Sequence, residues 1–258
     1  MVMALLGGGG YGEYAVADER SVMDIPAVFG GDMEKAGAVP ETWLTAFQII
    51  HFVGKTQPGD YVVVHAAGSG VGLAACQLLK AHGAIPIATA RTADKLSTCT
   101  EYGAAHIIDT TVHADDWSDV VKEITGGKGA NVILDPIAGS YSKHNAAAIA
   151  LDGRWVVYGL MGGINVIEDI GLMRTVLSKR VNLIGTTLRS RTLEYKGELV
   201  KAMSEFAFPR FEAGDFKPII DRTFPMAEAA AAHEFMTQNG NVGKIMLKVK
   251  LEGANPNL

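Results

Sequence analysis

A turn of small residues after a buried apolar run is the feature of this sequence that could carry chemistry. The run Tyr61–His65 is followed by Ala67, Ser69, Gly70 and Gly72, and then by an apolar helical pattern. Small side chains let backbone N–H groups approach a phosphate, and the positive end of a helix dipole favours negative charge there. The pattern therefore predicts a strand, a turn and a helix that hold the pyrophosphate of a dinucleotide.

The turn departs from the usual Gly-x-Gly-x-x-Gly fingerprint. Ala67 and Ser69 stand in the first two glycine positions, and Gly72 stands in the third. Both replacements are small, the Ser69 hydroxyl can donate to a phosphate, and Gly72 allows the helix to pack closely on the strand. The alternative is a tight turn that binds nothing. The strand–helix units that follow favour the dinucleotide interpretation.

The end of the next predicted strand distinguishes NAD from NADP. NAD-binding proteins usually carry an acidic residue about 20 residues after the turn, where it holds the ribose hydroxyls. Here the segment 89–92 contains Arg91 and no acid, and Lys95 follows one helical turn later. A guanidinium and an ammonium suit a 2′-phosphate, so the sequence favours NADP(H). The alternative is that both are ordinary surface cations.

The elements that must position these residues alternate along most of the chain. Parallel strands need crossover helices, so this alternation predicts an α/β fold with a doubly wound (Rossmann) parallel sheet. The predicted strands are Tyr61–His65, Ile85–Thr89, His106–Asp109, Asn131–Asp135, Trp155–Tyr158 and Val181–Gly185. The predicted helices between them are Val71–Ala81, Ala93–Tyr102, Asp116–Ile124, Tyr141–Ala150 and Asp169–Leu177.

The flanking segments differ in pattern from this central region. Tyr11–Val16 alternates like a strand, and Glu194–Phe211 is an amphipathic helix that Pro209 could break. Met226–Thr237 is an alanine-rich helix between the predicted strands 219–224 and 244–249, and residues 251–258 read as a frayed tail. We expect three domain segments: 1–39, 40–217 and 218–258.

Composition narrows the class of protein. The 258 residues are 48% hydrophobic and 20% charged, with a net charge of −5, which argues against a nucleic-acid or membrane-surface binder. The N-terminus lacks the charged region of a signal peptide, and no apolar stretch is long enough to span a membrane. The two cysteines lie in predicted helices and are too few for a four-cysteine zinc site. We expect a cytoplasmic protein.

Several motifs resemble those of the quinone oxidoreductase (ζ-crystallin-like, NADPH:quinone reductase) branch of the zinc-independent medium-chain dehydrogenase/reductase superfamily. Their order and spacing match over nearly the whole chain. The motifs are Pro40-Glu-Thr-Trp-Leu-Thr-Ala46, Gly59-Asp-Tyr-Val62, Ala67-Gly-Ser-Gly-Val-Gly72, Asp152-Gly-Arg-Trp-Val-Val-Tyr-Gly159, Leu188-Arg-Ser-Arg191 and Gly243-Lys-Ile245.

The resemblance implies an NADP-binding Rossmann domain in residues 40–217 and a partly open, GroES-like β-barrel domain. It begins near the end of the barrel, so we expect 1–39 and 218–258 to be remnants of that domain in an N-terminally truncated chain. It also implies a homodimer paired through an edge strand, here Val181–Thr187, and a small quinone-like substrate.

The resemblance also assigns cofactor contacts. Thr45 could instead bond back to its own helix, Gly162 could belong to a plain turn, and Lys244 could be an edge-strand charge. Thr110 stands where relatives often place a tyrosine near the adenosine. The implied contacts are Thr45, Leu160, Met161 and Gly162 near the nicotinamide, Ser69, Gly70, Val71 and Gly72 at the pyrophosphate, Arg91 and Lys95 at the adenosine phosphate, and Arg189, Asn241 and Lys244 around the cofactor.

The sequence contains no recognisable nucleophile or metal site. The seven histidines have no metal-ligand spacing, and no Ser-His-Asp or Cys-His arrangement is evident, so no catalytic residue is assigned. A quinone is already electrophilic, so the protein needs mainly to orient it and exclude water. We therefore predict NADPH-dependent reduction of quinones or related electrophiles. The alternatives are an alkenal or enone reductase, and a non-catalytic NADPH-binding protein if the barrel is incomplete.

Overall fold

Short apolar runs form the central sheet of the structure, a computed structural model that describes residues 1–165 and 171–249. The strands are β1 (Val2–Ala4), β2 (Val22–Asp24), β3 (Tyr61–Val64), β4 (Ile85–Ala90), β5 (His106–Asp109), β6 (Ala130–Asp135), β7 (Ile149–Val157), β8 (Asn182–Gly185), β9 (Ile220–Pro225) and β10 (Lys244–Lys248). The α-helices are α1 (Met33–Ala38), α2 (Pro40–Phe47), α3 (Gly70–His82), α4 (Ala93–Glu101), α5 (Trp117–Ile124), α6 (Ser142–Ala148), α7 (Leu172–Ser178), α8 (Leu193–Glu212) and α9 (Ala229–Thr237).

The chain divides into two compact units. One contains residues 45–190, and the other contains residues 1–44 together with 191–258. Helix α8 falls in the second unit, whereas the sequence analysis placed it in the nucleotide-binding domain. This helix contacts the N-terminal segment of the same unit. The Glu212 carboxylate accepts hydrogen bonds from the N–H groups of Ala27 (2.5 Å) and Val28 (3.0 Å). The division into three functional segments stays a prediction.

The 45–190 unit is built on a six-stranded, wholly parallel sheet in the order β5–β4–β3–β6–β7–β8. This is the doubly wound arrangement, and the predicted fold class is confirmed for this unit. The strand order reverses between β3 and β6, which opens a crevice at the carboxyl ends of those strands. On one face, Trp117 and Val121 of α5 join Ile133, Ile149 and Trp155 of the sheet in the core.

The other unit contains two small sheets. Strands β1 and β2 pair antiparallel, and β9 and β10 pair parallel. Trp43 packs on Phe211 and Phe216, with ring centroids 4.6 and 5.0 Å away. Helix α8 continues through Pro209 to Glu212, so the break that the proline could cause does not occur, although Pro209 lacks a helical N–H and its ring crowds the carbonyl one turn earlier.

Four sequence predictions are wrong or fall partly or wholly outside the described residues. Residues 11–14 form a turn and bends and residues 15–16 are irregular, so this segment is not a strand, and Tyr14 and Val16 are 85% and 96% exposed. The helix predicted to reach Ala150 ends at Ala148, because β7 begins at Ile149, opposite Ala130 of β6. The predicted helix Asp169–Leu177 begins with residues 169–170, which lie outside the described residues. The predicted tail 251–258 lies outside them as well.

Candidate functional site

The turn between β3 and α3 lies at the point where the strand order reverses. Ser69 is the N-cap of α3, and its Oγ accepts a hydrogen bond from the Gly72 N–H at 3.1 Å. The hydroxyl proton of Ser69 is not used in that bond. The first N–H groups of an α-helix have no acceptor within the helix, so those of Gly70 and Val71 are available to an anion.

Gly72 is required by the packing of this turn. A Cβ at this position would lie 2.5 Å from the Cα and carbonyl oxygen of Ala67, and 2.7 Å from the carbonyl oxygen of Ala66. All three contacts are with backbone atoms, which cannot move without displacing the turn. Gly72 therefore lets the start of α3 pack closely on the turn after β3, and a turn held this closely has the small-residue cradle that a pyrophosphate needs.

The two predicted phosphate cations follow β4, the neighbour of β3. Arg91 is exposed immediately after the strand, and Lys95 lies in the first turns of α4. A Cβ at Gly68 would lie 2.9 Å from both Cβ and Cγ of Lys95. The Lys95 stem therefore covers the turn at Gly68. The structure thus places Lys95 against the turn, and Arg91 lies two residues after Thr89, whose carbonyl accepts from the Ala67 N–H of the turn at 3.1 Å.

The predicted nicotinamide segment Leu160–Gly162 follows β7 and pairs with the loop 136–140 that follows β6. The N–H groups of Met161 and Gly162 donate to the carbonyls of residues 136 and 137, at 3.0 and 2.7 Å. The N–H groups of residues 139 and 140 donate back to the carbonyls of residues 163 and 162, both at 3.1 Å. Leu160 and Met161 are 57% and 67% exposed, so their side chains are available to a ligand.

A buried polar network lies beneath these loops. Asp135, at the end of β6, is fully buried and accepts at one oxygen from the N–H groups of Ile137 and Ala138, both at 2.8 Å. Its other oxygen accepts from Asn145 Nδ2 at 2.9 Å and Trp155 Nε1 at 2.8 Å. Four donors around one carboxylate are what a charge removed from water requires.

The network continues through His65 at the end of β3. Its Nε2 lies 2.8 Å from Asn145 Oδ1, and its Nδ1 lies 2.8 Å from Thr89 Oγ1. Burial lowers the pKa of His65, so the ring is neutral. It then donates at Nε2 to the Asn145 carbonyl and accepts at Nδ1 from the Thr89 hydroxyl. The network therefore joins the carboxyl ends of β4, β3 and β6.

The remaining predicted contacts are distributed over both units. Thr45 is half-buried in α2, and within residues 1–165 and 171–249 its hydroxyl makes no hydrogen bond, so it does not bond back to its helix there. Arg189 is exposed in the segment after β8. Asn241 and Lys244 belong to the other unit, where Asn241 donates to the carbonyl of Gly243 at 3.0 Å and Lys244 begins β10.

The described residues contain no cluster of three or more metal-ligating side chains. Cys76 in α3 and Cys99 in α4 are free and fully buried. A hydrogen bond from the Cys76 thiol to Cys99, together with burial, raises the pKa of Cys76, so α3 presents no thiolate nucleophile at this cysteine. No helix in the described part of the chain is both long enough and apolar enough to cross a membrane.

The loop 136–140 and the Asp135 network are absent from the sequence predictions. One signal was present, namely an acidic residue that ends the apolar run 131–135 and stands before a proline. A carboxylate that is buried at the end of a strand needs hydrogen-bond donors, and the backbone N–H groups of the loop supply two of them.

Comparison with known proteins identifies relatives. A family model described as "Zinc-binding dehydrogenase" matches residues 70–205, a little over half of the chain. Quinone oxidoreductase of Homo sapiens is 30% identical over 241 residues, covering 93% of this chain and 69% of the relative. 2-Haloacrylate reductase of Burkholderia sp is 29% identical over 243 residues, covering 93% and 70%.

A solved structure of an NAD-dependent alcohol dehydrogenase superposes with a TM-score of 0.80 and 32% identity, covering 94% of this chain and 66% of that one. The chain thus spans about two thirds of the length of the proteins that it matches.

Proposed function

Because this chain belongs to the zinc-binding dehydrogenase family, within which it is similar to quinone oxidoreductases, we propose that it reduces quinones or related electrophiles with NADPH. The observation that carries the proposal is the contact of the Lys95 stem with Gly68 in the turn before α3, with Arg91 exposed immediately after the neighbouring strand β4. The turn suits a pyrophosphate and the two cations suit a 2′-phosphate. A similar alcohol dehydrogenase is described as NAD-dependent, and we propose that in this chain Arg91 and Lys95 select NADP(H).

We assign the following roles to the chain's own residues. Ser69, Gly70 and Val71 bind the pyrophosphate, and Gly72 keeps the turn close enough to do so. Arg91 and Lys95 pair with the 2′-phosphate. The segment 160–162 lies beside the nicotinamide, with Thr45 and Arg189 as further contacts from the same unit, and the roles of Asn241 and Lys244 stay predictions. When bound, NADPH supplies the hydride.

Substrate activation needs no nucleophile in this proposal. A quinone is electrophilic without a Lewis acid, which is why we propose a zinc-independent reaction. The chain contributes orientation of the acceptor and exclusion of water from the reacting atoms, while the proton comes from solvent or from a nearby hydroxyl. We propose that residues 40–217 bind the cofactor and that 1–39 and 218–258 contribute to the substrate side. The two free thiols fit a reducing, cytoplasmic compartment.

Activity with a panel of quinones and a matched panel of enones tests this function. We expect NADPH to be oxidised faster with quinones than with enones, and NADH to be a poorer donor. The loss of reduced-nicotinamide absorbance measures both rates. Preference for enones would favour the alkenal or enone reductase. Tight NADPH binding without turnover on either panel would refute catalysis and favour a binding protein.

We also propose that the protein forms a homodimer through β8. Within the described residues this strand pairs on one side only, with β7, and a parallel edge strand is open to a second copy. Leu183 of β8 is 42% exposed, and Met173 and Leu177 of the neighbouring α7 are 67% and 81% exposed. Apolar side chains beside an unpaired edge are typical of an interface between copies.

Substitution Leu183→Lys is expected to convert the dimer to a monomer, because it places a charge in the apolar centre of that interface. Light scattering after size exclusion measures the mass. The matched control is Ile107→Lys on β5, the opposite edge strand, where Ile107 is 45% exposed. A dimer that persists in Leu183→Lys, or one disrupted by Ile107→Lys alone, would contradict the assignment.

A further inference from the structure

The Asp135 carboxylate stands between the sheet and the loop that supports the predicted nicotinamide segment. It is fully buried, and all four of its hydrogen bonds are with the protein. It cannot touch a ligand without breaking one of them. Any effect of Asp135 on the reaction must therefore act through the groups that it holds.

One side of the carboxylate holds the loop. The N–H groups of Ile137 and Ala138 both donate to the same oxygen at 2.8 Å. The other oxygen is anchored by Asn145 and Trp155, which belong to α6 and β7. The loop is thus fixed to the rigid part of the unit by one charged group, and charge-assisted hydrogen bonds are the stronger kind.

The loop conformation depends on that support. Ala138 has φ 60° and ψ −116°, a backbone conformation that is essentially restricted to glycine. Such a conformation persists only when surrounding contacts impose it. The hydrogen bond from the Ala138 N–H to Asp135 is one contact that does so.

The loop transmits this placement to the segment after β7. Four backbone hydrogen bonds join residues 136–140 to residues 161–163. The two loops also approach closely, since a Cβ at Gly139 would lie 2.7 Å from the carbonyl oxygens of both Gly163 and Asn165. A shift of the first loop must therefore shift the second.

We propose that Asp135 is a positioning residue for the nicotinamide half of the cofactor, acting through loop 136–140 on segment 160–163. The inference rests on the proposed function, which puts the nicotinamide beside that segment. It predicts that a substitution of Asp135 weakens binding of the nicotinamide half of the cofactor only. The adenosine and pyrophosphate half, held by the turn after β3 and the end of β4, should keep its affinity.

Two ligands separate the halves: NADPH, and adenosine 2′,5′-bisphosphate, which lacks the nicotinamide. In Asp135→Asn an amide N–H₂ group replaces one carboxylate oxygen. Because both oxygens accept hydrogen bonds in the wild type, this N–H₂ group must face N–H donors from which it cannot accept. We expect the Kd for NADPH to rise by at least about tenfold, with the Kd for the bisphosphate unchanged within about twofold. Fluorescence titration and calorimetry measure the two constants. Equal loss for both ligands, or no loss for either, would overturn the inference.

Asp60→Asn is the matched control, because it makes the same change in a carboxylate that accepts from the Gln57 N–H and from Arg154 Nη2 at the amino end of β3, the opposite end of that strand from the loops. Both constants should stay within about twofold of the wild type. If Asp135→Asn fails to fold, Gly139→Ala tests the same route, since its methyl group would push the two loops apart. Unchanged NADPH affinity in Gly139→Ala would then overturn the inference. Failure of the proposed function looks different, because the wild type would then bind neither ligand, or would bind NADPH tightly without turnover on either panel.

Discussion

Gly72→Ala is expected to lower the free energy of unfolding by about 3 kcal/mol, because it overpacks a contact between backbone segments. The added methyl would lie 2.5 Å from the Cα and carbonyl oxygen of Ala67. Neither atom can move without moving the turn that ends β3. Chemical denaturation measures the loss.

The same substitution should reduce kcat/KM with NADPH by about 100-fold, since displacement of a positioning turn by about 1 Å has effects of that size. Ser69 would shift with the turn, because its Oγ accepts from the Gly72 N–H. Stopped-flow or steady-state assays with the best quinone of the panel measure this effect.

Gly68→Ala is the matched control for Gly72→Ala. It adds the same methyl group to the same turn, but its nearest neighbours are Cβ, Cγ and Cδ of Lys95, at 2.9 to 3.0 Å. Cγ and Cδ of Lys95 can rotate away, whereas its Cβ is fixed to α4 and requires a small shift, so we expect a loss of stability of about 1 to 2 kcal/mol, smaller than that of Gly72→Ala. Equal effects of the two substitutions would show that the backbone contact at Gly72 is not the determinant.

The sequence was sufficient to predict the central elements because each carries its own local signal. The inner strands β3, β4 and β6 are largely apolar and buried, and α3 has a Ser N-cap at Ser69 and a Gly C-cap at Gly83. The strand order, by contrast, depends on contacts between distant segments. It could be inferred only from the rule that such alternation gives a doubly wound sheet.

The parts that sequence reasoning missed are non-local. Asp135 obtains donors from Asn145 and Trp155, ten and twenty residues further along the chain, and no local pattern pairs them. The boundary between α6 and β7 was misplaced because alanines 146–148 and the apolar residues that follow fit a helix equally well. Pairing of Ile149 with β6 decides in favour of the strand.

Arg91→Ala is expected to raise the Kd for NADPH by about 10- to 100-fold, the range that corresponds to one charge-assisted phosphate contact. The Kd for NADH should stay unchanged, because NADH lacks the 2′-phosphate. Arg91 is exposed at the end of β4, so the contact is partly screened, and the effect should shrink as ionic strength rises. Fluorescence titration with each cofactor at two salt concentrations measures both trends.

Arg174→Ala provides the control, because it removes the same charge from an exposed position on α7 of the same unit. Arg174→Ala should change neither the Kd for NADPH nor the Kd for NADH. This result would show that the effect of Arg91→Ala comes from a local contact and not from the change in the net charge of the protein. Lys95→Ala should have a smaller effect than Arg91→Ala, because part of the Lys95 side chain is engaged in covering Gly68 and an ammonium lacks the paired donors of a guanidinium. If the wild type binds NADPH and NADH equally, or if Arg91→Ala weakens both alike, Arg91 does not select the 2′-phosphate, and the cradle at Ser69–Gly72 would then serve either dinucleotide.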